Sequence, residues 1–250
     1  MGILANIEQR TQSGQKLLAY LIDPDKYQGA HLKTAIDLIN ETNPDLVFVG
    51  GSLVSDEISA TVKTIKQHIQ QPVILYPGSL IQFTPHADGI LFISLISGRN
   101  PEFLIGNHVV AAPIIKQSGM EVLPTGYMLV DGGSVTSVQY MSNTTPIPPA
   151  KCDIAVATAL AGEYLGLKMI YMDAGSGALN PVPASMIRKV KANLSIPLMI
   201  GGGLNTAEKV HTACQAGADI IVIGNAAEKD PSLLKEFIQV IRQFNLKVVQ

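Results

Sequence analysis

The segment Tyr171-Met172-Asp173-Ala174-Gly175-Ser176-Gly177 brings a phenol, a carboxylate, a hydroxyl and bare main-chain N–H groups into one short stretch. It follows the apolar run Leu167-Lys168-Met169-Ile170, which reads as a buried strand, and in extended chain Tyr171 and Asp173 share a face. Glycines at that density let a backbone close on an anion. Two similar stretches follow later apolar runs: Gly201-Gly202-Gly203 and Gly224-Asn225. Glycine also serves tight turns alone. A triple glycine after one strand and Gly-Asn after the next favour a phosphate site, with main-chain N–H groups and a nearby helix N-terminus holding the charge. A carboxylate beside bound phosphate, here Asp173, can orient or deprotonate a substrate hydroxyl. It can equally accept N–H bonds from Gly175 and Ser176, and the two roles are compatible.

A second group is acidic, Asp23-Pro24-Asp25-Lys26. A carboxylate at a strand end suits Mg²⁺, which keeps waters and takes one or two protein oxygens beside substrate phosphates. Asp23 is the metal candidate, with Ser52 adding a neutral oxygen from the adjacent strand; Asp25 reads as a solvated charge. Arg99 is placed to bind a further phosphate or to sit in solvent. The five histidines fall in helix or connector contexts and read as structural or surface residues. No Ser-His-Asp or Cys-His set is visible, and Lys26 alone gives little support to Schiff-base chemistry.

Positioning these groups requires short strands alternating with amphipathic helices. The strands are expected at 17–22, 45–49, 73–76, 89–94, 121–130, 168–172, 198–200 and 220–223, and the helices at 29–41, 55–69, 100–118, 149–166, 183–192, 206–216 and 231–244. Leu32, Ala35, Ile36 and Ile39 give the first helix its stripe, and Asn205 is the expected cap of the helix from Thr206. The rhythm breaks once. Only Leu80–Asp88 joins the third and fourth strands, short of the roughly 10–12 residues of a helical crossover, so the third helix is expected to be missing. Asp131–Ala150 reads as a long irregular loop. Eight βα units predict a modified (β/α)8 TIM barrel of the α/β class, whose site lies at the carboxyl ends of its strands and often binds phosphate after strands seven and eight. Asp23, Ser52, Gly78, Arg99, Tyr171, Gly201 and Gly224 all fall just after such strands. A doubly wound open sheet is the alternative. The missing helix would open a gap near Leu80, Ile81, Phe83, Leu95, Ile96, Tyr127 and Met128, where a long apolar tail could lie.

The 250 residues are 47% hydrophobic, without a linker or charge run, as expected of a single domain over residues 1–250. Net charge −2, no basic stripe and no Trp argue against nucleic acid. Cys152 and Cys214 lack metal-ligand spacing and suggest a reducing compartment. No signal peptide and no transmembrane segment are expected, so the expected address is cytoplasmic.

The motifs YLIDPDK (Tyr20–Lys26), FVGGSLVS (Phe48–Ser55), LYPGS (Leu75–Ser79), SLISGRNPEFLIG (Ser94–Gly106), PTGYMLVDGGSVTSVQYMSNTTPIP (Pro124–Pro148), YMDAGSGA (Tyr171–Ala178), IGGGL (Ile200–Leu204) and VIGN (Val222–Asn225) span nearly the whole chain. In that order they resemble the geranylgeranylglyceryl phosphate synthase family, in its second sequence group, related to the heptaprenylglyceryl phosphate synthases. The resemblance implies a barrel lacking its third helix. It implies Mg²⁺-dependent transfer of a polyprenyl group, geranylgeranyl by family precedent, from its diphosphate to the C3 hydroxyl of sn-glycerol 1-phosphate. Asp23 and Ser52 match the metal positions. Tyr171, Met172, Asp173, Ala174, Gly175, Ser176, Gly177, Gly202, Gly203, Gly224 and Asn225 match the glycerol-phosphate site, with Asp173 in the catalytic role. Many relatives carry Glu in place of Asp173, and some carry Lys at the position of Leu21. A homo-oligomer, dimer or hexamer, and peripheral membrane contact are further expectations. Competing readings are a phosphosugar isomerase using the same phosphate loops and a non-catalytic lipid-phosphate binding protein.

Overall fold

Alternate residues of each strand must face opposite ways, and here both faces are apolar. In β1 (Leu17–Ile22), Leu17 and Ala19 point into one buried cluster, Leu18 and Tyr20 into another. A strand buried on both faces belongs in a parallel sheet covered by helices. The computed structural model, which describes residues 1–55 and 57–248, shows that arrangement. The sheet continues through β2 (Leu46–Gly51), β3 (Val73–Pro77), β4 (Gly89–Leu95), β5 (Glu121–Leu129), β6 (Met169–Asp173), β7 (Leu198–Gly201) and β8 (Ile220–Ile223). All neighbours are parallel, and β1 closes on β8 with Leu17 opposite Ile220. The lumen is filled by Phe48, Ile74, Leu91, Leu123, Met169, Met199 and their layer-mates. The strand faces turned outward pack against the helices.

The chain opens with α1 (Ile3–Gln12), which the sequence pattern did not announce. Its first N–H groups, of Ile3 and Leu4, donate to the Glu121 carboxylate at 2.6 and 2.8 Å, and Ile7 is buried in the lumen cluster. The helix therefore caps the amino-terminal mouth of the barrel. α2 (Gly29–Thr42) and α3 (Ile58–Lys66) follow β1 and β2. The latter is shorter than expected, and Asp56 of the expected span lies outside the described residues. Between β3 and β4 there is no helix among the described residues, as the short connection requires. A side chain takes its place locally: buried Gln82 accepts from Gly51 N and Gly78 N, both at 3.2 Å, and donates to Gly51 O at 2.8 Å.

The expected helix over 100–118 divides. A π-helical turn at Glu102–Gly106 leads into α4 (Asn107–Ser118). The expected irregular loop after β5 contains a short helix, α5 (Ser137–Ser142), capped by Thr136 Oγ, and Val130 bridges Ile147. α6 (Cys152–Tyr164) lays Ala155, Ala159 and Gly162 on the barrel, so its small-residue face is core packing. α7 (Ala184–Lys191), α8 (Ala207–Ala216), α9 (Asn225–Lys229) and α10 (Ser232–Val248) complete the outer layer. The cap of α8 is Thr206 rather than Asn205. Thr206 holds the extended conformation of a cap and its Oγ accepts from Lys209 N at 3.2 Å. At the amino-terminal end of the barrel, buried Asp219 accepts from Lys191 Nζ at 2.5 Å and Leu198 N at 2.9 Å, and pairs with Lys16 at 3.6 Å.

Candidate active site

At the carboxyl ends of the strands lies a cavity of about 610 Å³, and most of the residues singled out above line it. Asp23 and Ser52 are in its wall, as are Tyr171, Asp173, Gly175, Ser176, Gly177, Gly202, Gly203, Gly224 and Asn225. Gly175, Gly177, Gly202 and Gly203 have φ between 68° and 88°, where an L side chain is strained. At Gly202 a Cβ would also come within 2.6 Å of Asp173 Oδ1 and of Gly175 N. Glycine there lets the β6 and β7 loops close on each other, leaving main-chain N–H groups on the cavity side.

Met172 and Ala174 do not line the cavity. The strand period that turns Tyr171 and Asp173 into the lumen turns Met172 outward, where it is fully buried in the outer cluster with Ala174. Ala174 N donates to Gly201 O at 3.1 Å, joining the β6 and β7 ends. These two residues shape the site from behind.

Asp173 is buried. Its Oδ2 accepts from the Tyr127 hydroxyl at 2.6 Å and its Oδ1 from Gly175 N at 2.8 Å. Burial raises its pKa above the ordinary carboxylate range, opposed by those two hydrogen bonds. Around it Tyr127 and Tyr171 meet edge to face with ring centroids 5.2 Å apart, and Tyr76 meets Tyr171 in the same way at 6.0 Å. Burial lifts the pKa of all three phenols, with the Asp173 charge adding to it, so they are neutral donors. The Tyr127–Asp173 bond escaped sequence reasoning because nothing in the spacing of the two residues marks it. Its one legible trace is that both lie near the ends of adjacent strands.

Across the cavity Asp23 is half-buried, with Lys26 Nζ 3.6 Å from Oδ2 and Asp25 N donating to Oδ1 at 3.2 Å. Burial raises its pKa; Lys26 and the Asp25 N–H pull it down, and the charges of Asp25 and Glu228 push it up. Lys26 also bonds Glu228 at 3.0 Å, tying the β1 loop to α9. Asp25 is not simply solvated, since both its oxygens accept from Ser55 N at 2.9 Å and so anchor the β2 loop. Among the described residues, no three His, Cys, Asp or Glu side chains gather as a metal cluster. Asp23 and Ser52 both line the wide cavity, and their oxygens are of the type that a hard cation takes. Arg99 is exposed, donates to Gly98 O at 2.7 Å and lines neither this cavity nor the one described next.

A second cavity, about 130 Å³ and mainly apolar, runs through the gap left by the missing helix. Phe83, Phe92, Leu95, Phe103, Ala111 and Ile115 are among its walls. Of the expected lining residues, Leu80, Phe83, Leu95 and Tyr127 are in place. Ile81 is instead exposed, Ile96 packs between Gly126 and Gly162, and Met128 faces the outer core. Ser52, Tyr76, Tyr127 and Val138 line both cavities, so the apolar groove opens into the polar chamber beside Asp173.

Comparison with known proteins bears on the family and the fold. The sequence profile of the PcrB family matches residues 11–242. The geranylgeranylglyceryl phosphate synthase of Spirosoma linguale is 49% identical over 239 residues, 95% of this chain and 96% of that one. That of Chitinophaga pinensis is 50% identical over 233 residues, 93% and 92% of the two chains. The crystal structure of (S)-3-O-geranylgeranylglyceryl phosphate synthase from Thermoplasma acidophilum, in complex with its substrate sn-glycerol-1-phosphate, superposes with a TM-score of 0.91 at 30% identity. That match covers 97% of this chain and 99% of the other.

Proposed function

This chain belongs to the PcrB family, and we propose that it transfers a polyprenyl group from its diphosphate to the C3 hydroxyl of sn-glycerol 1-phosphate, an ether-lipid step that releases diphosphate. The observation that carries this reading is the junction at Ser52, Tyr76 and Tyr127, where a polar, glycine-lined chamber meets an apolar groove beside one buried carboxylate. An isomerase of soluble sugar phosphates would leave the groove without a use. The names of the relatives point to geranylgeranyl as the donor's tail.

In this mechanism the phosphate of the acceptor rests on the N–H groups of the Gly175–Gly177, Gly202–Gly203 and Gly224–Asn225 loops. Its C3 hydroxyl donates to Asp173, which Tyr127 and the Gly175 N–H hold in one orientation. The donor's tail lies in the groove and its diphosphate faces Asp23. As the allylic C–O bond breaks, positive charge develops at C1 at the junction of groove and chamber, beside the Asp173 carboxylate. The glycerol oxygen closes on C1 and its proton passes to Asp173, whose raised pKa suits it to accept one. Asp23 and Ser52 would hold Mg²⁺. When bound, the ion would offset the charge on the departing diphosphate.

The proposal includes a cytoplasmic address, supported by two free cysteines, a homo-oligomer, dimer or hexamer, and peripheral contact with a membrane surface. Exposed Ile105, Val109, Val110 and Ile114 beside the groove supply apolar area for such contacts. No described helix is long and apolar enough to cross a membrane. Incubation with labelled sn-glycerol 1-phosphate and prenyl diphosphates of graded length should yield a butanol-soluble product. A chelator should abolish it and added Mg²⁺ restore it. No product at any length would sink the transfer reading, and full activity in the chelator would remove the metal. Sedimentation and vesicle flotation test the assembly and the membrane contact.

A further inference from the structure

His108 takes no part in this chemistry, yet it stands in the wall of the apolar groove and is 7% exposed. Its Nε2 lies 3.1 Å from Ser94 Oγ. Ser94 has one hydroxyl proton, which it gives to Leu104 O at 3.2 Å. The Ser94 oxygen therefore accepts from the imidazole, and Nε2 carries the ring proton. Burial lowers the His108 pKa, with the Ile93 carbonyl opposing, so the ring is neutral at neutral pH. A neutral ring protonated on Nε2 keeps a lone pair on Nδ1. Among the described residues Nδ1 is the one buried side-chain nitrogen or oxygen without a hydrogen-bond partner. Phe92 fixes the ring edge to face, centroids 4.6 Å apart. The π-helical turn Glu102–Gly106 immediately before α4 sets where His108 falls on the groove, and such turns recur at functional sites. A buried acceptor in this state calls for a water, and stripping that water without replacing its bond is costly.

We propose that His108 is a specificity-determining residue for the donor's tail: its Nδ1 holds a water in the mainly apolar groove, and a tail long enough to reach that point must displace it and leave the acceptor bare. Tails that end short of His108 gain affinity with each added isoprene unit, and the unit that reaches it gains less. The inference rests on the reading that the groove takes a prenyl tail.

The test is a KM series with geranyl, farnesyl, geranylgeranyl and longer diphosphates, at saturating sn-glycerol 1-phosphate, on the wild type and on His108→Phe. Phenylalanine keeps a ring against Phe92 and removes the lone pair. The wild type is expected to show a break in KM at one length. In the variant that break should vanish, and KM beyond it should fall about tenfold relative to KM before it. An independent measurement on the wild type is the ¹⁵N spectrum of the histidine rings. It should show the Nε2–H tautomer, with an Nδ1 resonance that moves on binding donors beyond the break and stays in place with shorter ones; this decides the matter if the variant does not fold. A wild-type series without a break, a break that the folded variant keeps, or a ring protonated on Nδ1 would each overturn the inference while leaving prenyl transfer standing. Absence of product at every length would instead defeat the transfer reading, and this one with it.

Discussion

Asp173 is expensive where it stands. A carboxylate whose pKa is raised by burial destabilises the fold while it is ionised. The sign follows from linkage. Its folded pKa lies above the unfolded value, so the cost is full above the folded pKa and disappears below the unfolded one. Asp173→Asn should therefore melt higher than the wild type at neutral pH, and thermal melts across acidic pH should show that advantage shrinking as pH falls through the folded pKa. The same variant should lose transfer activity by about 10²–10⁴-fold, the usual worth of a positioned base. Tyr127→Phe removes a bond that holds the Asp173 pKa down. The acid limb of its pH profile of kcat/KM should move to higher pH; an unmoved limb would take Asp173 out of the proton transfer.

At the scale of elements, Gln82 and Asp219 hold opposite ends of the barrel. Gln82→Ala leaves the N–H groups of Gly51 and Gly78 and the Gly51 carbonyl without their partner. It should cost roughly 2–3 kcal/mol in urea melts and raise KM for the prenyl diphosphate, since those turns frame the groove's mouth. Asp219→Ala strands the Leu198 N–H and takes the carboxylate from Lys191, which keeps its bond to Ile196 O at 3.5 Å. It should cost roughly 2–3 kcal/mol as well, yet leave both KM values in place because it lies at the far end. The strands were legible as short apolar runs set between amphipathic segments, and the missing helix because Leu80–Asp88 is too short to hold one. Other features left no such trace. α1 buries little besides Ile7. The π-helical turn at Glu102–Gly106 follows i+5 spacing that no stripe of side chains reports. α5 hides among glycines, prolines, serines and threonines, and Asn205 and Thr206 are both acceptable caps until backbone geometry chooses one.

For the whole molecule, the polar half of the site was readable and the coupling between halves was not. Each glycine loop and Asp23 could be located from its own strand end. The junction at Ser52, Tyr76 and Tyr127 is assembled from three strands, and its apolar side depends on which residues of the β3–β4 connection turn inward, which spacing does not encode. The sheet closes completely although the helical layer around it does not. By the reading above, the donor's hydrocarbon fills the vacant sector and becomes a temporary part of the hydrophobic core, so catalysis and completion of the fold are linked equilibria. A non-hydrolysable prenyl diphosphate analogue should raise the melting temperature by mass action. It should also slow amide exchange most in β3, β4 and α4, while a diphosphate without a tail should protect only the β1 and β2 loops. Between turnovers the enzyme would then be an unfinished barrel, and the order in which its substrates arrive would be a folding question as much as a kinetic one.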